Sequence, residues 1–168
     1  MKKKILPVII AVLLILVIGG VTLGKVLLDK YSYSKEEADW NEFYQVSETD
    51  RSAIILQDEM VEEQALIRDG VCYFDLATVH KYMNEVFYAD VTENLLLYAT
   101  PTEVIRTVFG ETSYSTTEGM QDAGFVISFV EGDTVYVAAD YVKLFTNYSY
   151  ECYDRHVQVY TEWGTRQV

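Results

Sequence analysis

The chain has 168 residues and a net charge of −13, unevenly placed: residues 1–30 hold five lysines and one acid, which leaves 31–168 at −17. So acidic a segment excludes a nucleic-acid partner, which needs a basic footprint to displace its counterions, and a surface that spreads on anionic lipid. With abundant Val, Leu and Phe and 14 tyrosines, the segment beyond residue 30 can bury one or two small cores and is not a disordered tail.

Met1-Lys2-Lys3-Lys4 precedes 19 uncharged residues, 5–23. As a helix they would span about 29 Å, the thickness of a bilayer's hydrocarbon. The run is longer than a signal peptide's apolar core and no Ala-x-Ala site comes after it, so 1–30 reads as an uncleaved signal anchor in preference to a cleaved signal peptide. No cysteine stands near its end, which excludes a lipoprotein anchor. The leading lysines predict a single-pass cell-membrane protein whose N-terminus is cytoplasmic and whose C-terminal module is extracytoplasmic, with membrane lipid as the partner of 5–23.

Residues 31–50 read as a stalk. Ser34-Lys35-Glu36-Glu37 has the form of a capping box, and Ala38, Trp40, Asn41, Phe43 and Tyr44 continue a short helix. Beyond 51, short apolar runs bounded by turn residues predict strands at 52–57, 65–68, 71–74, 86–89, 95–99, 103–107, 125–130, 134–137, 148–153 and 157–161. Two helical stretches interrupt them: Leu76, Val79, His80 and Met83 share one face, as do Val142 with Phe145 and, a turn earlier, Ala138 with Tyr141.

Asp69-Gly70-Val71-Cys72-Tyr73-Phe74 and Gly132-Asp133-Thr134-Val135-Tyr136-Val137 open two segments of one plan, offset by 63 residues. At that offset Tyr73 meets Tyr136, Val79 meets Val142, Tyr82 meets Phe145, Asn84 meets Asn147, Phe87 meets Tyr150 and Ala89 meets Cys152. With the next turn shortened by one, Leu95, Leu97 and Tyr98 meet Val157, Val159 and Tyr160. The expected fold is therefore α+β: an N-terminal transmembrane helix, then two tandem β-β-α-β-β repeats forming one extracytoplasmic module. The first repeat covers 51–107, a Gly/Ser/Thr-rich connector 108–124, the second repeat 125–163 and a tail 164–168.

A unit of Asp-Gly-x-x-Tyr-x, a helix, an aromatic strand and a turn into an apolar strand resembles the copper amine oxidase N-terminal-like domain, a repeat common in Gram-positive exported proteins. Members usually carry a proline where this chain has Asp75 and Ala138. Tyr31 to Lys35, the doubled repeat and Thr161-Glu162-Trp163-Gly164 also look like the N-terminal part of clostridial family-18 glycoside hydrolases, in which an SH3-like module and a catalytic barrel come next. The resemblance implies a cell-envelope setting. It carries no hydrolase activity to any residue here, because the family's D-x-x-D-x-D-x-E motif is absent.

The residues themselves predict no catalytic site, metal or cofactor. Glu36-Glu37 and Glu62-Glu63 read as solvated faces, while Asp69 and Asp133 read as turn residues outside any calcium-loop pattern. His80, on the apolar side of the first helix, and His156, in a turn, lack metal-ligand spacing. Cys72 and Cys152 align with Val135 and Ala89, which suggests two core thiols; a disulfide between them stays open. Strand alternation places Tyr98, Tyr153 and Tyr160 on polar faces, candidates for a sugar-stacking patch, against the alternative that they are ordinary half-buried strand tyrosines. The expected function is a non-catalytic cell-envelope binding or spacing module with cell-wall glycan as partner. The alternatives are a glycan hydrolase whose catalytic domain lies downstream, and a sensor or assembly partner of another membrane protein.

Overall fold

The computed structural model describes residues 5–31 and 38–161, with side chains from residue 13 onward. The chain divides into two units, Met1–Ala38 and Asp39–Val168. The capping box at 34–37 and the tail at 164–168 lie outside the described residues.

The first unit contains helix α1 (Ile5–Tyr31). Its described side chains, 13–31, include Lys25, Asp29 and Lys30, and among the described residues no helix is long and apolar enough to cross a membrane. The expected single-pass cell-membrane location, with cytoplasmic N-terminus and extracytoplasmic module, is corrected accordingly: ionised groups are costly in hydrocarbon, and three fall in the last seven residues of this helix.

The second unit opens with a one-turn helix, α2 (Trp40–Tyr44), followed by β1 (Arg51–Leu56), β2 (Glu59–Arg68), β3 (Val71–Asp75) and α3 (Leu76–Tyr82). Then come β4 (Phe87–Asp90), β5 (Leu95–Ala99), β6 (Val104–Val108), β7 (Ser113–Thr116), β8 (Gly119–Asp122), β9 (Ser128–Glu131), β10 (Thr134–Ala138), α4 (Ala139–Lys143), β11 (Tyr148–Cys152) and β12 (His156–Thr161). The α+β expectation is thereby corrected: among the described residues 44% are strand against 25% helical, in two sheets. The connector at 108–124 is the reason on one side, since it forms the hairpin β7–β8, and the short helices α3 and α4, seven and five residues long, are the reason on the other.

A seven-stranded sheet runs β11-β12-β1-β2-β3-β10-β9, and a five-stranded meander runs β4-β5-β6-β7-β8. The elements β2-β3-α3-β4-β5 and β9-β10-α4-β11-β12 share one order, yet β4–β5 joins the smaller sheet and β11–β12 the larger. The two segments therefore do not build two like halves of one module.

The β2–β3 turn is tight because Asp69 and Gly70 both take positive φ, 52° and 79°, the geometry of a two-residue hairpin loop matching strand twist. β3 then enters α3 through Asp75, whose carboxylate caps Thr78 N–H. At the corresponding start of α4 stands Ala138, so that helix depends on packing: Tyr141 and Val142 are buried. β3 and β10 pair through Tyr73–Ala138 and Phe74–Val137, and both short helices pack on this pair. Cys72, Tyr73 and Phe74 are buried in succession, so β3 is covered on both faces. Tyr73 reaches Val126 O at 2.9 Å and packs edge-on to Phe129, while the Tyr148 hydroxyl donates to Ala139 O.

Phe74 is 0% exposed, so Phe74→Ala should lower unfolding free energy by about 3–5 kcal/mol in urea denaturation. Tyr88→Ala, at an edge-strand ring 58% exposed, should change it by less than about 0.5 kcal/mol. Comparable losses from both would show that the core does not lie at β3.

Candidate functional site

The site begins with the helix α2. Asp39 Oδ1 accepts from Asn41 N at 2.9 Å and caps it, and Gln45, in the left-handed region at φ 55°, ends it after five residues. A helix this short is held by docking: Val46 is buried, and Gln64 Nε2 donates to Gln45 O at 3.1 Å, tying the segment to β2. Trp40 and Tyr44, four residues apart, then project from one side of the turn.

Opposite α2 lies the β11–β12 hairpin. Parallel pairing with β1, Ala53 against His156, brings it there, and Ala53 N donates to Arg155 O at 3.0 Å. Tyr153 N donates to His156 O at 2.8 Å and closes the turn. Four rings stack in a row across this junction. Trp40 lies on Tyr44 at 6.1 Å and 23°, Tyr44 on His156 at 4.8 Å and 27°, and His156 on Tyr153 at 4.6 Å and 13°. With Asp154 and Arg155 they line a pocket of about 260 Å³.

The inner rings and the outer rings do different things. Tyr44 and His156 fasten α2 to the hairpin, whereas Trp40 and Tyr153 remain 54% and 50% exposed. Burial lowers the His156 pKa below 6.5, so the ring is neutral at pH 7 and stacks without an ionic charge. The Tyr153 hydroxyl donates to Glu151 Oε2 at 2.6 Å, which fixes the ring and raises its pKa. The slot thus offers aromatic surface beside a carboxylate, Asp154, and a guanidinium, Arg155.

Of the three tyrosines expected to form a patch, Tyr153 is in the slot. Tyr160 is exposed on the same hairpin face as His156 and Gln158, about 13 Å along the strand from His156. Tyr98 lies apart in the five-stranded sheet, stacked on Phe145 at 4.4 Å and packed against the core. The register explains its inward turn. Phe87 faces Tyr98 as Tyr150 faces Val159, so the structural counterpart of Tyr98 is buried Val159, not Tyr160. The turn lengths differ by two residues where the alignment assumed one, and a slip of one residue reverses the face of every side chain.

Cys72 is buried, but Cys152 is exposed at the end of β11, which corrects the expectation of two core thiols. His80 is occupied by Phe87 O at 2.6 Å, and among the described residues no group of three or more His, Cys, Asp or Glu could hold a metal ion. The sequence reading missed Trp40, Tyr44 and His156. The spacing of Trp40 and Tyr44 behind Asp39 was visible, but not the histidine more than a hundred residues away on which Tyr44 stacks.

Comparison with known proteins adds no relative to this fold and slot: no protein-family model, curated protein or solved structure matches the chain.

His156 also makes a pH prediction. Above pH 6.5 its ring is neutral in the folded and unfolded chain; below that the unfolded chain takes the proton first. Stability should therefore fall from about pH 6.5 down to the lower folded-state pKa and then level off. His156→Phe should flatten that part of the profile when urea midpoints are compared between pH 7.5 and 5, and an unchanged slope would assign it to other groups.

Proposed function

We propose that the Asp39–Val168 unit is a non-catalytic binding module for a neutral glycan of the cell-envelope kind, using the slot of Trp40, Tyr44, His156 and Tyr153. The observation that carries this reading is the row of four stacked rings whose outer members, Trp40 and Tyr153, stay half exposed. Sugar rings present flat C–H faces to aromatic surfaces and hydroxyls at their edges. Asp154 and Arg155 stand at the rim as hydrogen-bonding groups for those hydroxyls. The resemblance to the repeats of family-18 glycoside hydrolases favours the same partner class, and the absence of that family's acidic motif favours binding over hydrolysis. The −17 on residues 31–168 favours a neutral ligand, since an anionic polymer would be repelled.

The full chain should co-sediment with insoluble neutral polysaccharide. Trp40→Ala and Tyr153→Ala should each weaken binding about fivefold, roughly 1 kcal/mol per ring, and the double variant should abolish it with the urea midpoint nearly unchanged. Tyr160→Ala should matter less and Tyr98→Ala should act through stability alone. Any adsorption to anionic wall polymer should grow as salt rises. Wild-type protein that stays in the supernatant with every polysaccharide at low and high salt would overturn the glycan reading and leave a spacer.

A further inference from the structure

In the order β11-β12-β1-β2-β3, strands β11 and β3 are four places apart, which in a flat sheet means about 19 Å. They meet nevertheless. Phe74 of β3 and Tyr150 of β11 pack edge to face at 6.4 Å, and the thiols of Cys72 and Cys152 stand near enough for each to shift the other's pKa. Cys72 and Phe74 share one face of β3, and Tyr148, Tyr150 and Cys152 share one face of β11. Moving two residues back on β3 and two forward on β11 leads from the Phe74–Tyr150 contact to the Cys72–Cys152 contact, so both pairs belong to one antiparallel facing of the two strands. The sheet coils until its β11 edge lies over β3.

We infer that Cys72 and Cys152 are a reversible disulfide pair that closes the coiled sheet on itself, formed by exchange with a small-molecule disulfide. The two thiols have unlike roles. Cys152 is exposed and Cys72 buried. The neighbouring Cys152, then burial and the Asp140 carboxylate, pushes the Cys72 thiol well up, while Cys72 pulls Cys152 below its usual range. Cys152 is thus the attacking thiolate and Cys72 the resolving thiol. Cys152 sulfur attacks one sulfur of the small disulfide; that S–S bond breaks and one small thiolate leaves, taking up a proton. Cys72 then gives its proton to solvent and attacks the Cys152 sulfur, expelling the second small thiolate. The protein loses two electrons and two protons, and the small disulfide becomes two thiols. Because Cys152 immediately precedes Tyr153, the bond would anchor one wall of the aromatic slot to the core.

The test uses the full chain equilibrated with oxidised or reduced glutathione, acid-quenched, alkylated and mapped by peptide mass spectrometry. Under oxidising conditions the wild type should give one intrachain cross-linked peptide pair containing Cys72 and Cys152, with little retained glutathione. Its Tm should exceed that of the reduced chain by about 5–15 °C, as expected for closing a loop of this length. Cys72→Ala should instead accumulate glutathione on Cys152, because the resolving thiol is gone. Wild-type protein that keeps glutathione on Cys152 while Cys72 remains alkylatable after unfolding, or that cross-links only between chains, would overturn the inference; this readout does not depend on the variant folding.

Discussion

The parallel pairing of β1 with β12 is the contact on which the rest of the larger unit depends. It joins Ala53, Ile54, Ile55 and Leu56 to His156, Val157, Gln158 and Val159, segments about a hundred residues apart. Closing so long a loop costs chain entropy, and a parallel ladder alone repays little of it. The compensation lies in burial: Ile54, Val157 and Val159 are all in the core. Gln57 adds polar ties at the far end, donating from Nε2 to Thr161 O and accepting at its carbonyl from Gln158.

That pairing has two consequences. It carries His156 to α2, where Tyr44 completes the stack, and it extends the larger sheet far enough for β11 to fold back over β3. The aromatic slot and the thiol pair therefore share one cause, and they meet at the consecutive residues Cys152 and Tyr153. The β11–β12 hairpin is held at its base by the core and at its tip by rings.

The slot combines a structural and a presented part. A stack that only fastened α2 would bury its end members as well, and stacking needs no charged groups at its rim. Here the inner pair is covered, the outer pair is open, and Asp154 and Arg155 stand beside them. The neutral state of His156, kept by burial, lets the stack form on a surface that is otherwise strongly acidic.

By itself the sequence determined the local elements. Alternation and turn residues located β3, β5, β10 and β12 to within a residue or two, and Asp69-Gly70 specified its hairpin, because such signals act between near neighbours. It also singled out Tyr153. Tertiary structure decided everything set by partners far along the chain. The alignment put Tyr98 with Tyr160 because one residue of turn length is invisible to pattern, yet pairing register then turned Tyr98 toward the core, half-buried against it. The Ser-Tyr-Ser-Thr segment at 113–116 became a strand because β6 offered it an edge. Lys25, Asp29 and Lys30 share the helix that the uncharged run seemed to own alone. Trp40, Tyr44 and His156 became a site, and Cys72 and Cys152 a pair, only when the sheet coiled: contacts between distant residues are fixed by burial and register summed over the whole sheet, which no local spacing encodes.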